Sequence, residues 1–174
     1  SDDAIDVDNG STYAEGNYIR NCGDQGISLV GTGTSTVYRN VVYRNNVGLS
    51  SKDSHVVTAN FNTFAYNSSI GARAYQKTSG KGGGIATIRN CIIWGSPTSL
   101  YTDALGTITT LYSDIQGGPP QTGNVTFGEG NISLDPQFVN AAGNDYRLKS
   151  TSPCIGVAEG GDDMGALPYE LLPR

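Results

Sequence analysis

Two cations, Lys52 and Arg73, are the side chains in this sequence best suited to acid–base work on a charged substrate. An amine or guanidinium beside a uronate can neutralise its carboxylate, or act as the base that takes the proton α to it. Tyr75 and Tyr101 offer flat faces for sugar rings. Lys77 adds a point charge and Asp103 an acceptor for hydroxyls. At the start of the chain Asp3, Asp6 and Asp8, with Asp2 beside them, supply the hard oxygen ligands that calcium prefers. "DVDNGSTYAE" does not keep EF-hand spacing, so charge density alone carries the calcium expectation.

Other chemistry is less well supplied. A hydrolase built on paired carboxylates would use "SDDAIDV" and "GDQGISL", but Gln25 stands where the second phrase needs an acid. The one histidine, His55, sits in "SKDSHVV" at an apparent corner and is expected at the surface, so a Ser-His-Asp triad has no good base. Cys22, Cys91 and Cys154 fit no zinc spacing and are expected as buried, apolar-like thiols. "GGDDMGA" places Asp162 and Asp163 in a closing turn, and Trp94 in "CIIWG" is expected to pack in the core or a corner.

The candidates are scattered from Asp3 to Asp103, so something must gather them. A repeat does. "NYIRNCGDQGISL", "NVVYRNNVGLSS" and "NTFAYNSSIGA" each run from Asn through apolar residues to a polar corner and restart at Gly. The first Asn falls at Asn17, Asn40, Asn62 and Asn90, and Ser113 takes the slot in "ITTLYSDIQ". The restart glycines are Gly26, Gly48 and Gly71. A period of about 22 residues holding short strands is one coil of a parallel β-solenoid. The repeated Asn is then a rung in an amide ladder. The Gly- and Lys-rich stretch 76–84 is a loop bulging from one coil.

Strand alternation sorts the faces. Ile5, Ile27, Leu49, Ala72 and Leu100 should point inward, with Val7, Leu29, Ser51, Ala74 and Thr102. Asp6, Ser28, Ser50, Arg73 and Tyr101 should form one outward column, and Asp8, Val30, Lys52, Tyr75 and Asp103 the next. That strip gathers the candidate residues.

The phrases "EGNYIRNCGDQGISL", "YRNVVYRNNVGLS" and "NFNTFAYNSSIGA" resemble the right-handed parallel β-helix repeats of pectate-lyase-like and polygalacturonase-like proteins. "LDPQFVNAAGNDYRLKSTSPCIGVAEGGDDMGA" is similar to the closing coils of large secreted members, with Gly156 where many carry Asp. The likeness is nearest to β-helix regions of multi-module extracellular, cell-surface or spore-coat-like (CotH-type) proteins. It implies an all-β, right-handed parallel β-helix of about five to six coils. Residues 1–116 would form stacked coils, and 117–174 the closing strands and C-terminal cap. Three functions follow as expectations. The first is an accessory, non-catalytic module contacting a polysaccharide, in particular one containing uronates. The second is a polysaccharide lyase using Lys52 or Arg73 as base beside calcium. The third is a structural stalk or shell.

Composition narrows the partners. A formal net charge of −5 and a pI near 4.6 argue against a general nucleic-acid binder. No apolar run is long enough for a membrane span. The expected location is secreted or on the cell surface. The first strand already lies in register, Ile5 with Ile27, so an upstream domain or a partner chain is expected to cover the open first coil.

Overall fold

The computed structural model describes residues 2–120 and 122–169 and is a right-handed parallel β-helix. Each coil contributes three strands. The first has β1 (Ile5–Asp8), β2 (Tyr13–Glu15) and β3 (Tyr18–Arg20); the second β4 (Gln25–Val30), β5 (Thr34–Tyr38) and β6 (Val41–Tyr43). The third has β7 (Val47–Lys52), β8 (Val56–Asn60) and β9 (Thr63–Ala65); the fourth β10 (Ile70–Tyr75), β11 (Ile85–Arg89) and β12 (Ile92–Trp94). The fifth has β13 (Thr98–Thr102), β14 (Thr107–Leu111) and β15 (Asp114–Ile115), and β16 (Val125–Phe127) adds one strand beyond it. Sheet A stacks β1-β4-β7-β10-β13, sheet B β2-β5-β8-β11-β14-β16 and sheet C β3-β6-β9-β12-β15.

The register in sheet A matches the sequence columns: Ile5 pairs Ile27, Ile27 pairs Leu49, Leu49 pairs Ala72, and Ala72 pairs Leu100. These residues and Val37, Ile88 and Ile93 fill the solenoid interior. Gly48 shows why each phrase restarts at glycine. A Cβ there would lie 2.4 Å from the Gly71 carbonyl oxygen and 3.1 Å from the Phe64 ring.

Two side-chain ladders run along the corners flanking sheet C. In the first, the Asn17 backbone N–H donates to Asn40 Oδ1, Asn40 N–H to Asn62 Oδ1, Asn62 N–H to Cys91 Sγ, and Cys91 N–H to Ser113 Oγ. Asn131 extends it by accepting from Ser113 N–H. The rung expected at Asn90 is therefore one residue off. Asn90 adopts φ 52°, the left-handed corner conformation that Arg39, Phe61 and Tyr112 adopt before their own rungs. Asn tolerates that conformation as readily as it fills a ladder, so the two slots look alike in sequence. The second ladder, Cys22–Asn45–Asn67–Ser96, runs through the polar corner of each phrase, with Cys22, expected as an apolar-like thiol, donating its backbone N–H to Asn45 Oδ1.

His55 is a correction. It is fully buried, with Nε2 2.9 Å from Ser35 Oγ and Nδ1 without a hydrogen-bond partner. Burial holds its pKa below the ordinary histidine value. The polar neighbours that suggested a surface corner, Asp53 and Ser54, are themselves bound into the turn: Asp53 accepts from loop amides and Ser54 Oγ donates to Lys81 O. All three cysteines are free; Cys91 and Cys154 are buried, while Cys22 is half-buried.

Beyond the coils, β17 (Phe138–Asn140) and β18 (Asp145–Leu148) form an antiparallel pair. With residues up to Ala166 they lie against the outer face of sheet C. Tyr146, Leu148 and Met164 pack there on Val41, Tyr43 and Ile92.

Candidate functional site

The outer face of sheet A holds a polar cleft of about 340 Å³. Register places its parts. Asp6, Ser28, Ser50 and Arg73 stack in one column, and Asp8, Val30, Lys52 and Tyr75 in the next. The column residues were expected to stand in solvent, yet Lys52 is only 2% exposed. Its side chain lies back over the preceding coil, where Nζ donates to Gln25 Oε1 at 2.9 Å and Ser28 Oγ at 2.7 Å. Ser28 in turn donates to Asp6 Oδ1 at 2.7 Å. Burial, then the neighbouring Lys77 charge, push the Lys52 pKa below the ordinary lysine value, while Asp3 and Asp6 pull the other way.

Arg73 is fixed similarly. Its Nε donates to Ser50 Oγ at 2.7 Å, and its guanidinium stands 4.7 Å from the centre of the Tyr75 ring. Lys52, Arg73, Tyr75 and Lys77 therefore share one cleft with Asp3, Asp6 and Asp8. Tyr101 is exposed on the adjoining coil in the Arg73 column. Asp103 stands apart, past the end of β13. It accepts from the backbone N–H groups of Gln76, Leu105 and Gly106, and these bonds outweigh burial and hold its pKa down.

The acidic cluster is regrouped by the fold. Asp2, Asp3 and Asp24 bring carboxylate oxygens within 4.8 Å of one another. Asp6 is engaged by Ser28, and Asp8 accepts from Asn9 Nδ2. Asp24 was missed in sequence, as were Gln25 and Ser28 as ligands of Lys52. In the sequence Gln25 stands out only as a missing acid. Asp24 lies before β4, where strand alternation assigns no face.

A second cleft of about 310 Å³ adjoins the first and shares Asp8, Val30 and Lys77 with it. The 76–84 loop walls it. Asp53 anchors that loop by accepting from the N–H groups of Lys77 and Thr78, at 2.6 and 2.8 Å. Burial opposes ionisation of Asp53, but those backbone bonds prevail and its pKa is low.

What the site can do follows from these parts. It can neutralise a carboxylate, offer a ring edge beside a guanidinium, and take up a proton at a desolvated amine. Residues 1–115 match a protein family described as a right handed beta helix region. No curated protein and no solved structure matches the chain.

Proposed function

Since the chain belongs to the right-handed β-helix family, which supports a carbohydrate-related or structural module, we propose that it is an accessory module contacting acidic polysaccharide through the sheet A cleft. The observation that carries this reading is the convergence of Lys52, Arg73 and Lys77 with the Tyr75 ring in one polar cleft. Cations meet uronate carboxylates, the aromatic ring packs against a sugar, and the rim aspartates accept from hydroxyls. The ligand sets the location, secreted or at the cell surface. Affinity electrophoresis on polygalacturonate, alginate and a neutral xylan tests the reading. Retardation by the acidic gels, lost in Arg73→Ala and in a Tyr75→Ala, Tyr101→Ala pair, is expected. Equal mobility in all gels sinks the reading in favour of a structural stalk.

One observation favours a second reading, a polysaccharide lyase. Lys52 is a desolvated amine with a lowered pKa, tied through Ser28 to Asp6. Such an amine suits proton abstraction α to a carboxylate, with loss of the 4-linked sugar and formation of an unsaturated uronate. Calcium held by Asp2, Asp3 and Asp24 would neutralise the carboxylate. Growth of ultraviolet absorbance on a uronate polymer, abolished in Lys52→Gln, would establish it. A flat trace from a protein that still binds leaves the accessory module. A melting temperature indifferent to chelator removes calcium from either reading.

A further inference from the structure

The three outer faces of the solenoid differ. Sheet C is covered by the C-terminal segment, and sheet A carries the charged cleft. Sheet B is bare. Along its middle, Thr36 pairs Thr58, Thr58 pairs Thr87, Thr87 pairs Thr109, and Thr109 pairs Thr126, so five threonines stand in one unbroken file. Two residues away along each strand runs a second file, Thr34, Val56, Ile85 and Thr107. All four of these are exposed, including Val56 at 36% and Ile85 at 43%. Neither file contains a charged residue, and among the described residues none of these threonine hydroxyls is tied up by a neighbour. Arg89, at the margin, is paired with Glu159.

We propose that this face binds ice. Successive coils set the threonines ~4.8 Å apart along the axis, and alternate residues of a parallel strand lie ~6.6 Å apart. The result is a rectangular array of hydroxyls and methyls. The axial spacing lies close to the repeat of hexagonal ice along its basal axes. Methyl groups seat ordered water without competing for its hydrogen bonds, and threonine hydroxyls join the lattice. Charged groups would hold hydration shells that match no lattice, and the two files have none. The bare face suits a neutral, periodic partner. A second copy fits poorly, because the patch offers only about 400 Å² by strand dimensions. A standard interface needs about 800 Å² per partner. Crystalline polysaccharide is favoured less, because stacking on sugar rings calls for aromatics, and the files run through threonine, valine and isoleucine from Thr36 on, with Tyr13 at the head of the threonine file and Tyr38 in the file beside it.

The proposal is independent of the sheet A cleft, and its test is separate. The whole chain is assayed for ice-crystal shaping and for inhibition of ice recrystallisation, with Thr58→Tyr and Thr87→Tyr, alone and combined, as variants. Circular dichroism melts confirm that the variants fold. Facetted crystals and slowed recrystallisation are expected from the native chain and from Arg73→Ala, and loss of both from the double variant. Round, freely coarsening crystals with the native chain overturn the proposal. So does a dimer in sedimentation velocity that Thr87→Tyr dissociates, which assigns the face to a second copy. Retention on microcrystalline cellulose or chitin, lost in the double variant and without effect on ice, assigns it to a solid polysaccharide instead.

Discussion

Asn62 satisfies far more backbone than its own. Its Oδ1 accepts from Asn40 N–H at 2.9 Å and Asn40 Nδ2 at 3.0 Å, while its Nδ2 donates to Val37 O and Asn60 O. Asn40 and Asn62 are fully buried, so Asn62→Ala strands polar groups that water cannot reach. At about 1–3 kcal/mol for each, the variant should lose at least ~3 kcal/mol in urea unfolding. Cys91→Ser is the contrasting case. Cys91 already acts as an acceptor for Asn62 N–H, and Ser113 does the same one coil on. Burial pushes the Cys91 thiol up to about 12, so it stays protonated and serves as a weak donor to Ala59 O. The serine variant should therefore unfold within about 1 kcal/mol of the native chain. Tyr146 is a third kind of residue. It is 1% exposed, its ring packs against Tyr43, Tyr66 and Phe138, and its hydroxyl has no partner. Tyr146→Phe keeps the ring and removes the orphan oxygen, so its melting temperature should equal or exceed the native value. A clear fall would mean that the hydroxyl is bonded in solution.

At the scale of elements, the coils were legible in the sequence because stacking imposes repetition, and repetition is visible. The inward column from Ile5 to Leu100 and the outward Asp6–Ser28–Ser50–Arg73 column came from alternation alone. Gly48 marks a point where the strand of one coil nearly touches the next. Gly48→Ala should cost about 1–3 kcal/mol through overpacking, read as a lower urea midpoint at unchanged slope. Contacts that depend on side-chain reach were not legible. Nothing in spacing says that Lys52 folds back to Gln25 and Ser28, or that His55 turns inward beneath its corner. The site's members were foreseeable by column; their burial and hydrogen bonding were not.

The join between β15 and the closing segment carries a pH dependence. Asp114 is fully buried, accepts from Leu134 N–H and contacts Cys154 Sγ at 3.3 Å. Burial raises its pKa from 3.8 to about 6. The folded chain thus holds this proton more tightly than the unfolded one. The stabilising contribution is fully present below about pH 4 and is lost as pH rises through about 6, by roughly 3 kcal/mol in all. Asp114→Asn keeps an oxygen for Leu134 and removes the titration. The difference between the two stability curves should grow in favour of the variant from about pH 4 to 6 and then level off. A constant difference across that range would show that Asp114 titrates normally.

At the scale of the whole molecule, a solenoid has one interior and three exteriors, and here each exterior has a different fate. Sheet A concentrates charge in a cleft, sheet B lines up neutral hydroxyls and methyls, and sheet C is apolar enough to need a cover. Val41, Tyr43, Ala65 and Ile92 are all at most 4% exposed although they point away from the interior. The cover is fastened by backbone as well as by packing. Gly165 N–H donates to Asn90 O at 2.8 Å and Ala166 N–H to Thr63 Oγ1 at 3.0 Å. It thereby takes a continuous apolar face out of water. A chain ending at residue 132 keeps the strands of sheets A, B and C but bares that face. It should self-associate, seen as a concentration-dependent rise in scattered light, while Thr58→Tyr, Thr87→Tyr in the full chain remains monomeric. If the shortened chain stays monomeric with an unchanged melting temperature, sheet C needs no cover and the closing segment serves another purpose.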